Sequence, residues 1–269
     1  MQLYIKLLAQ RLPMDIPINY QYNLAAAIYR IMQKGDAEYA SFLHQQGYGK
    51  GFKLFCFSQL YCKFSLSGDR MTLLQPDAQF VASFHLPQAL EGFVKGLFVS
   101  EKLEIADKKS KAVFAVESVE VLPNALAEYD DAEMISITCI PLSPVVAGIK
   151  NARDHYDYLS PGQSLFAESL CYNWRSKIES CYDAETAASA LLSIEVLAIK
   201  QPFKSRLMTM KANTAAETKV RGWLNLRLRL RAEKRWVDLL LQSGAGLYNA
   251  MGCGCIQIET PKPINNGPR

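Results

Sequence analysis

The sequence predicts an α+β protein made of two tandem ferredoxin-like, RRM-like βαββαβ units, and three observations carry the prediction. A strand, helix, strand, strand, helix, strand order is legible in the first half. After the polar, turn-rich stretch PNALAEYDDAE the same order recurs. The length, 269 residues, suits two ordinary domains that can each bury a core. The implied boundaries are 1–125 for the N-terminal domain, which carries the candidate catalytic residues, and 131–269 for the C-terminal one.

The first half reads as a strand at 2–10, a helix at 22–33, a short extra helix at 37–46, strands at 52–60 and 71–84, a helix at 87–98 and a strand at 112–122. In the first helix Leu24, Ala27, Ile28, Ile31 and Met32 form the apolar stripe at ~100° per residue, which leaves Tyr29 well off it. The second helix starts at an Asp36 N-cap and stops at Gly47, with Tyr39, Phe42 and Leu43 inward and His44 off the stripe in the last turn. There the helix dipole favours an imidazolium. A glycine-rich turn follows, carrying Lys50 and opening a strand at Lys53. Taken singly, each residue has an ordinary structural explanation: a surface tyrosine, a helix-capping histidine, a solvated lysine.

The second half reads as a strand at 134–140, a loop containing LSPGQ, a helix at 165–181, strands at 194–200 and 219–231, a helix at 232–242, a glycine-rich loop and a last strand at 255–259. In KVRGWLNLRLRLR a period of two puts Lys219, Arg221, Trp223, Asn225, Arg227, Arg229 and Arg231 on one face, with the leucines packing inward. Five cations with a tryptophan and no acid suit phosphates and stacked bases. A solvated sheet face is the plainer alternative.

The loop SGAGLYNAMGCG poses the question of a dinucleotide cradle, and both its spacing and its context argue against one. A Rossmann fingerprint needs G-x-G-x-x-G between a strand and a helix. Here Asn249 stands at the third glycine position, and the loop joins a helix to a strand. What remains is a pairing, Gly244 with Gly246 and Gly252 with Gly254, at two places where backbone can adopt positive φ or approach a ligand closely.

Composition narrows the function classes. The chain is 49% hydrophobic and 21% charged, as expected of a soluble globular protein, and its N-terminus reads as neither signal peptide nor membrane span. A cytoplasmic location and no membrane partner are therefore expected. Seven cysteines without a C-x-x-C pair favour reduced thiols, and His44, His85 and His155 fall in no metal-binding spacing, so neither metal nor cofactor is expected. Charge is uneven: residues 190–235 hold 11 Lys and Arg against three acids, and the remainder holds 19 against 23. One concentrated basic region suggests a polyanionic partner.

The segments AIYRI, SFLHQQG, KLFCFS, LEGFVKGLF, IPLSPV and GAGLYNAMGCG, in this order from first strand to last, resemble the CRISPR-associated repeat-RNA endoribonucleases, the sixth-numbered Cas family. The resemblance implies tandem ferredoxin-like domains and CRISPR repeat RNA bound along basic surfaces, including the Lys219 to Arg231 strand and the loop of Gly244, Gly246, Asn249, Gly252 and Gly254. It implies metal-independent cleavage of precursor CRISPR RNA within the repeat, which leaves a 2′,3′-cyclic phosphate and a 5′-OH. Its tyrosine, histidine and lysine site falls on Tyr29, His44 and Lys53, with Lys50 as the alternate lysine. Handover to a CRISPR effector complex and pairing with a second copy stay open, as does the choice between Tyr29 as base and as orienting group. The competing readings are a non-catalytic repeat-RNA-binding module on the same scaffold and, more distantly, a nucleotide-dependent enzyme.

Overall fold

The computed structural model describes residues 1–212 and 214–259. Residues 260–269, counted above in the C-terminal domain, lie outside the described residues. The first half runs β1 (Gln2–Ala9), β2 (Met14–Pro17), α1 (Gln21–Gly35), α2 (Ala37–Gln45), β3 (Phe55–Phe57), β4 (Tyr61–Ser67), β5 (Arg70–Phe84), α3 (Pro87–Ser100), β6 (Lys102–Ala106) and β7 (Lys111–Val121). The second runs β8 (Met134–Pro141), β9 (Gly148–Lys150), β10 (Tyr156–Tyr158), α4 (Ser164–Cys181), α5 (Ala184–Ser189), β11 (Ser193–Leu197), β12 (Ser205–Met210), β13 (Thr218–Trp223), β14 (Arg227–Glu233), α6 (Lys234–Ser243), a 3₁₀ turn (Asn249–Met251) and β15 (Ile256–Ile258).

All strand pairs within the sheets are antiparallel. In the first sheet β1 lies between β5 and β7, and β6 extends the β7 edge. The 15-residue β5 is long enough to hold β1 and β2 along one edge and β3 and β4 along the other. The second sheet runs β11, β14, β8, β15. If β4 is grouped with β3, the strands of the two repeating units occupy the same spatial order in both sheets. The alternation that made these strands legible is their burial: along β1 and β14 inward Leu and Ile side chains alternate with half-buried or exposed ones.

One apolar core joins α1, α2 and α3 to the first sheet, around Phe55, Phe80, Phe84, Phe93 and Phe114. A second joins α4 and α6 to the other, around Trp174, Trp236, Leu228 and Leu230. Leu54 crosses the seam: it is buried in the second core while Phe55 is buried in the first. The 123–133 stretch is pinned rather than free, with Leu126 buried in the second core and Lys234 bonded to Asp131 at 2.8 Å.

Several expectations need correction. The strand expected at 52–60 is ordered as strand only over Phe55–Phe57, and the one at 194–200 ends at Leu197. The run from Lys219 to Arg231 is not one strand. It breaks at 224–226, where Asn225 takes the Lys204 N–H and donates at 2.7 Å to the Pro202 carbonyl. On one side of the break β13 pairs with β12 in a separate hairpin; on the other β14 joins the main sheet.

Candidate active site

α1 presents Tyr29 and α2 presents His44 to one concave surface. α2 is started by Asp36, whose carboxylate accepts the Tyr39 N–H at 3.0 Å, and its last turn leaves His44 exposed. The Tyr29 and His44 rings meet edge to face, centroids 5.1 Å apart, and Phe55 holds the Tyr29 ring at 5.4 Å. Tyr29, off the helical stripe, is nonetheless half-buried against the first core. Lys53 reaches the same place from the loop between α2 and β3: its Nζ donates at 3.0 Å to the His44 carbonyl, one of the acceptors a helix end leaves open. Gly47, at φ +69°, clears the way, since a Cβ there would lie 3.0 Å from Lys53 Nζ and 2.6 Å from the Phe52 carbonyl oxygen.

These three residues line a cavity of about 590 Å³ with Arg30, Lys211 and Met251, and none of the described residues lining it is a carboxylate. Burial pushes the Tyr29 phenol above its ordinary range and pulls the Lys53 ammonium below its own. Lys50 points elsewhere: it pairs with Glu179 on α4 at 3.3 Å and lies over the Tyr172 ring. Between the two candidate lysines, the geometry puts Lys53 beside His44.

The glycine-rich loop borders this cavity, although its glycines do not. Gly244, Gly246, Gly252 and Gly254 all have positive φ, between 71° and 88°. All four are buried, and the accessible part of the loop is Leu247–Met251. A Cβ on Gly246 would lie 2.2 Å from the Val146 carbonyl oxygen, and one on Gly254 2.0 Å from that of Ala245. Close packing within the protein, rather than approach to a ligand, is what these positions require. Asn249, also a candidate contact, is half-buried and turned into the loop, where its side chain bonds the Ala245 and Cys253 carbonyls and Lys177. Met251 and Ala250, on the 3₁₀ turn, are the loop residues that reach the cavity.

The basic strand also differs from its expected form. Trp223 is half-buried against the second core with Nε1 bonded to the Leu159 carbonyl at 2.9 Å, which fixes its ring to the protein. Arg227 pairs with Glu259, and Arg229 with Glu195 at 2.8 Å. Lys219, Arg221 and Arg231 are exposed, the first two on β13 and the third on β14.

Three cations escaped the sequence reading. Lys211 follows β12 and lines the cavity. Arg206, on the same hairpin, donates to the Gln59 side chain at 3.0 Å and the Ile18 carbonyl at 2.9 Å, both in the first half. Lys177, on α4, is 1% exposed and donates to the carbonyls of Ser243 and Gly244 and to Asn249 Oδ1. Burial lowers its pKa to about 7, a fall that the neighbouring Cys56 and Cys181 only partly oppose. The charge excess over 190–235 signalled Lys211 and Arg206; nothing in the sequence marked Lys177.

Known proteins resemble this chain over nearly its whole length. The chain is 28% identical over 243 residues to CRISPR-associated endoribonuclease Cas6 1 of Methanocaldococcus jannaschii, covering 90% of this chain and 86% of that one. It is 23% identical to CRISPR-associated endoribonuclease Cas6 of Pyrococcus furiosus, covering 92% and 85%. A solved structure described as a Cas6-related gene from Pyrococcus furiosus superposes with TM-score 0.76 at 21% identity, covering 97% of this chain and 99% of that one. Another, described as a RAMP protein binding different RNA substrates, gives 0.75 at 18%, covering 97% and 100%. At these identities the structures speak for a shared fold. The model of CRISPR-associated protein Cas6, N-terminal, matches residues 15–120 and that of Cas6, C-terminal, matches 127–258, so that together they span nearly the whole chain: it belongs to the Cas6 family.

Proposed function

We propose that this protein is an endoribonuclease that processes precursor CRISPR RNA by metal-independent cleavage within the repeat, on two tandem ferredoxin-like domains spanning 1–125 and 131–269. The observation that carries the reading is the cavity where His44, Lys53 and Tyr29 meet Arg30 and Lys211 with no carboxylate among the described lining residues. Such a lining attracts a phosphodiester. The curated relatives named as Cas6 endoribonucleases support the activity.

RNA supplies its own nucleophile. The 2′-oxygen attacks the adjacent phosphorus, its proton leaves to water, the bond from phosphorus to the 5′-oxygen breaks, and a 2′,3′-cyclic phosphate and a 5′-OH result. His44 as imidazolium gives its proton to the departing 5′-oxygen, because imidazole exchanges protons near neutral pH. Lys53, held at the end of α2, stabilises the added charge on the phosphorane. Tyr29 orients the 2′-OH rather than deprotonating it, since burial makes its phenol harder to ionise. These roles complete the reaction without a metal ion.

Incubation with cognate repeat RNA in EDTA should give discrete products ending in a cyclic phosphate. A magnesium requirement, or cleavage of RNA carrying 2′-deoxy at the scissile nucleotide, would overturn the mechanism. Binding without cleavage of any repeat would leave the non-catalytic RNA-binding module.

A further inference from the structure

Beyond the cavity, the surface continues in a groove that the cleavage chemistry does not use. Lys53, Ala250 and Met251 line both the His44 cavity and a smaller one of about 340 Å³ over the tip of the glycine-rich loop. Lys50, Phe52, Tyr156, Asn173 and Leu247 in turn line both that space and a third of about 720 Å³ between α4 and the β9–β10 hairpin. The three form one track leading from His44 across the seam between the two halves.

The far end of the track has the character of a base pocket rather than a phosphate clamp. Tyr156 and Tyr172 line it, and Tyr172 is 68% exposed. Its cations are already engaged: Lys50 with Glu179 and over Tyr172, Lys150 with Asp154 and over Tyr156. A carboxylate, Glu168, lines it as well. Between these groups sits Asn173, only 8% exposed, whose Oδ1 has no hydrogen-bond partner among the described residues. A buried amide oxygen left open is costly, and a turn of the amide toward the pocket would let an N–H on the edge of a nucleobase fill it.

Resting on the endoribonuclease reading, we propose that this pocket holds one unpaired nucleobase of the repeat RNA, flanking the scissile phosphate, stacked on the exposed ring of Tyr172 and read on its hydrogen-bonding edge by Asn173. Aromatic stacking on unpaired bases and hydrogen bonds to their exposed edges are how single-stranded RNA is recognised with sequence preference.

The experiment measures affinity for cognate repeat RNA made uncleavable by 2′-deoxy at the scissile nucleotide, together with single-turnover cleavage of the normal repeat. Tyr172→Ala, on an exposed helix face, should weaken Kd about 5- to 150-fold, the range for loss of one stacked base. The loss should fall more on Kd than on the saturating cleavage rate. Asn173→Ala should abolish discrimination at one nucleotide position of the repeat that the unaltered protein discriminates, with circular dichroism checking that the variant is folded. If the unaltered protein cleaves the repeat while Tyr172→Ala binds it with unchanged Kd, the base pocket is wrong and the nuclease stands. If the unaltered protein neither binds nor cleaves the repeat, the nuclease reading falls and the pocket falls with it.

Discussion

Burial moves the two groups beside His44 away from their ordinary titration, and each shift makes a prediction. A phenol that ordinarily titrates near ~10 is a poor base at neutral pH, and burial makes Tyr29 a worse one. Tyr29→Phe should therefore slow single-turnover cleavage by about 10-fold, the effect of one hydrogen bond, whereas loss of a general base costs about 100- to 10,000-fold. His44→Ala should cost in that larger range with RNA affinity nearly intact; an unchanged rate would remove His44 from the reaction. Lys53 has the opposite problem. Desolvation lowers its pKa, so it loses its charge at a lower pH than an ordinary lysine, and cleavage should decline on the alkaline side accordingly. Lys53→Arg keeps the charge at all these pH values, so in pH–rate profiles the alkaline limb should move upward. A stationary limb would assign it to another group. A 100° period picks out Tyr29 and His44 as off the apolar stripes, but only the family resemblance makes them catalytic candidates, and the packing of Tyr29 against Phe55 and the first core is not visible in the sequence. Lys53 could be separated from Lys50 only in three dimensions, where one meets the His44 carbonyl and the other meets Glu179.

At the scale of elements, the regular helices and long strands were read almost to their ends, since each has an unbroken apolar face. The basic strand misled for an equally physical reason: period-two alternation runs through Leu224–Leu226 without a fault, and only the side-chain bonds of Asn225 reveal the break. Likewise the paired glycines of SGAGLYNAMGCG were visible, but not that the loop folds around a buried lysine. Lys177→Met leaves the Ser243 and Gly244 carbonyls and Asn249 Oδ1 without their donor. Orphaned acceptors cost about 1–3 kcal/mol each, an upper figure here because removing a desolvated charge returns part of it. The net result should be a lower Tm and a larger fall in cleavage than in fold, as the Ala250 and Met251 tip loses its support. The lysine also gives stability a pH dependence. Its folded pKa, about 7, lies below the unfolded value, so the unfolded chain binds more protons in the window between them. Stability from this group rises as pH climbs above 7, and the Lys177→Met variant should lack that rise in denaturant titrations. Gly246→Ala tests the backbone directly. Positive φ and a 2.2 Å approach to the Val146 carbonyl oxygen leave no room for the methyl, so destabilisation of at least about 1–3 kcal/mol is expected.

Across the whole molecule, the charge excess of residues 190–235 does not make one patch. β14 spends Arg227 and Arg229 on ion pairs with Glu259 and Glu195, while the β12–β13 hairpin carries Arg206 and Lys211 to the first half. Arg206 clasps Gln59 and Ile18 and lies over the Tyr20 ring, and a small core of Val146, Met208, Met210, Val220 and Cys253 seats the hairpin beside the glycine-rich loop. The hairpin thereby brings Lys211 to the cavity that α1 and α2 open on the other half. If that clasp positions Lys211, removing it should act on cleavage through Lys211. Arg206→Ala and Lys211→Ala should each reduce the single-turnover rate, and the double variant should be less impaired than the two effects combined. A coupling of about 0.5–3 kcal/mol is the range for residues that share one structural unit. Additive losses would mean that Lys211 reaches the substrate independently of Arg206, and the hairpin would then be a passive cover over the seam rather than the element that completes the site from the second half.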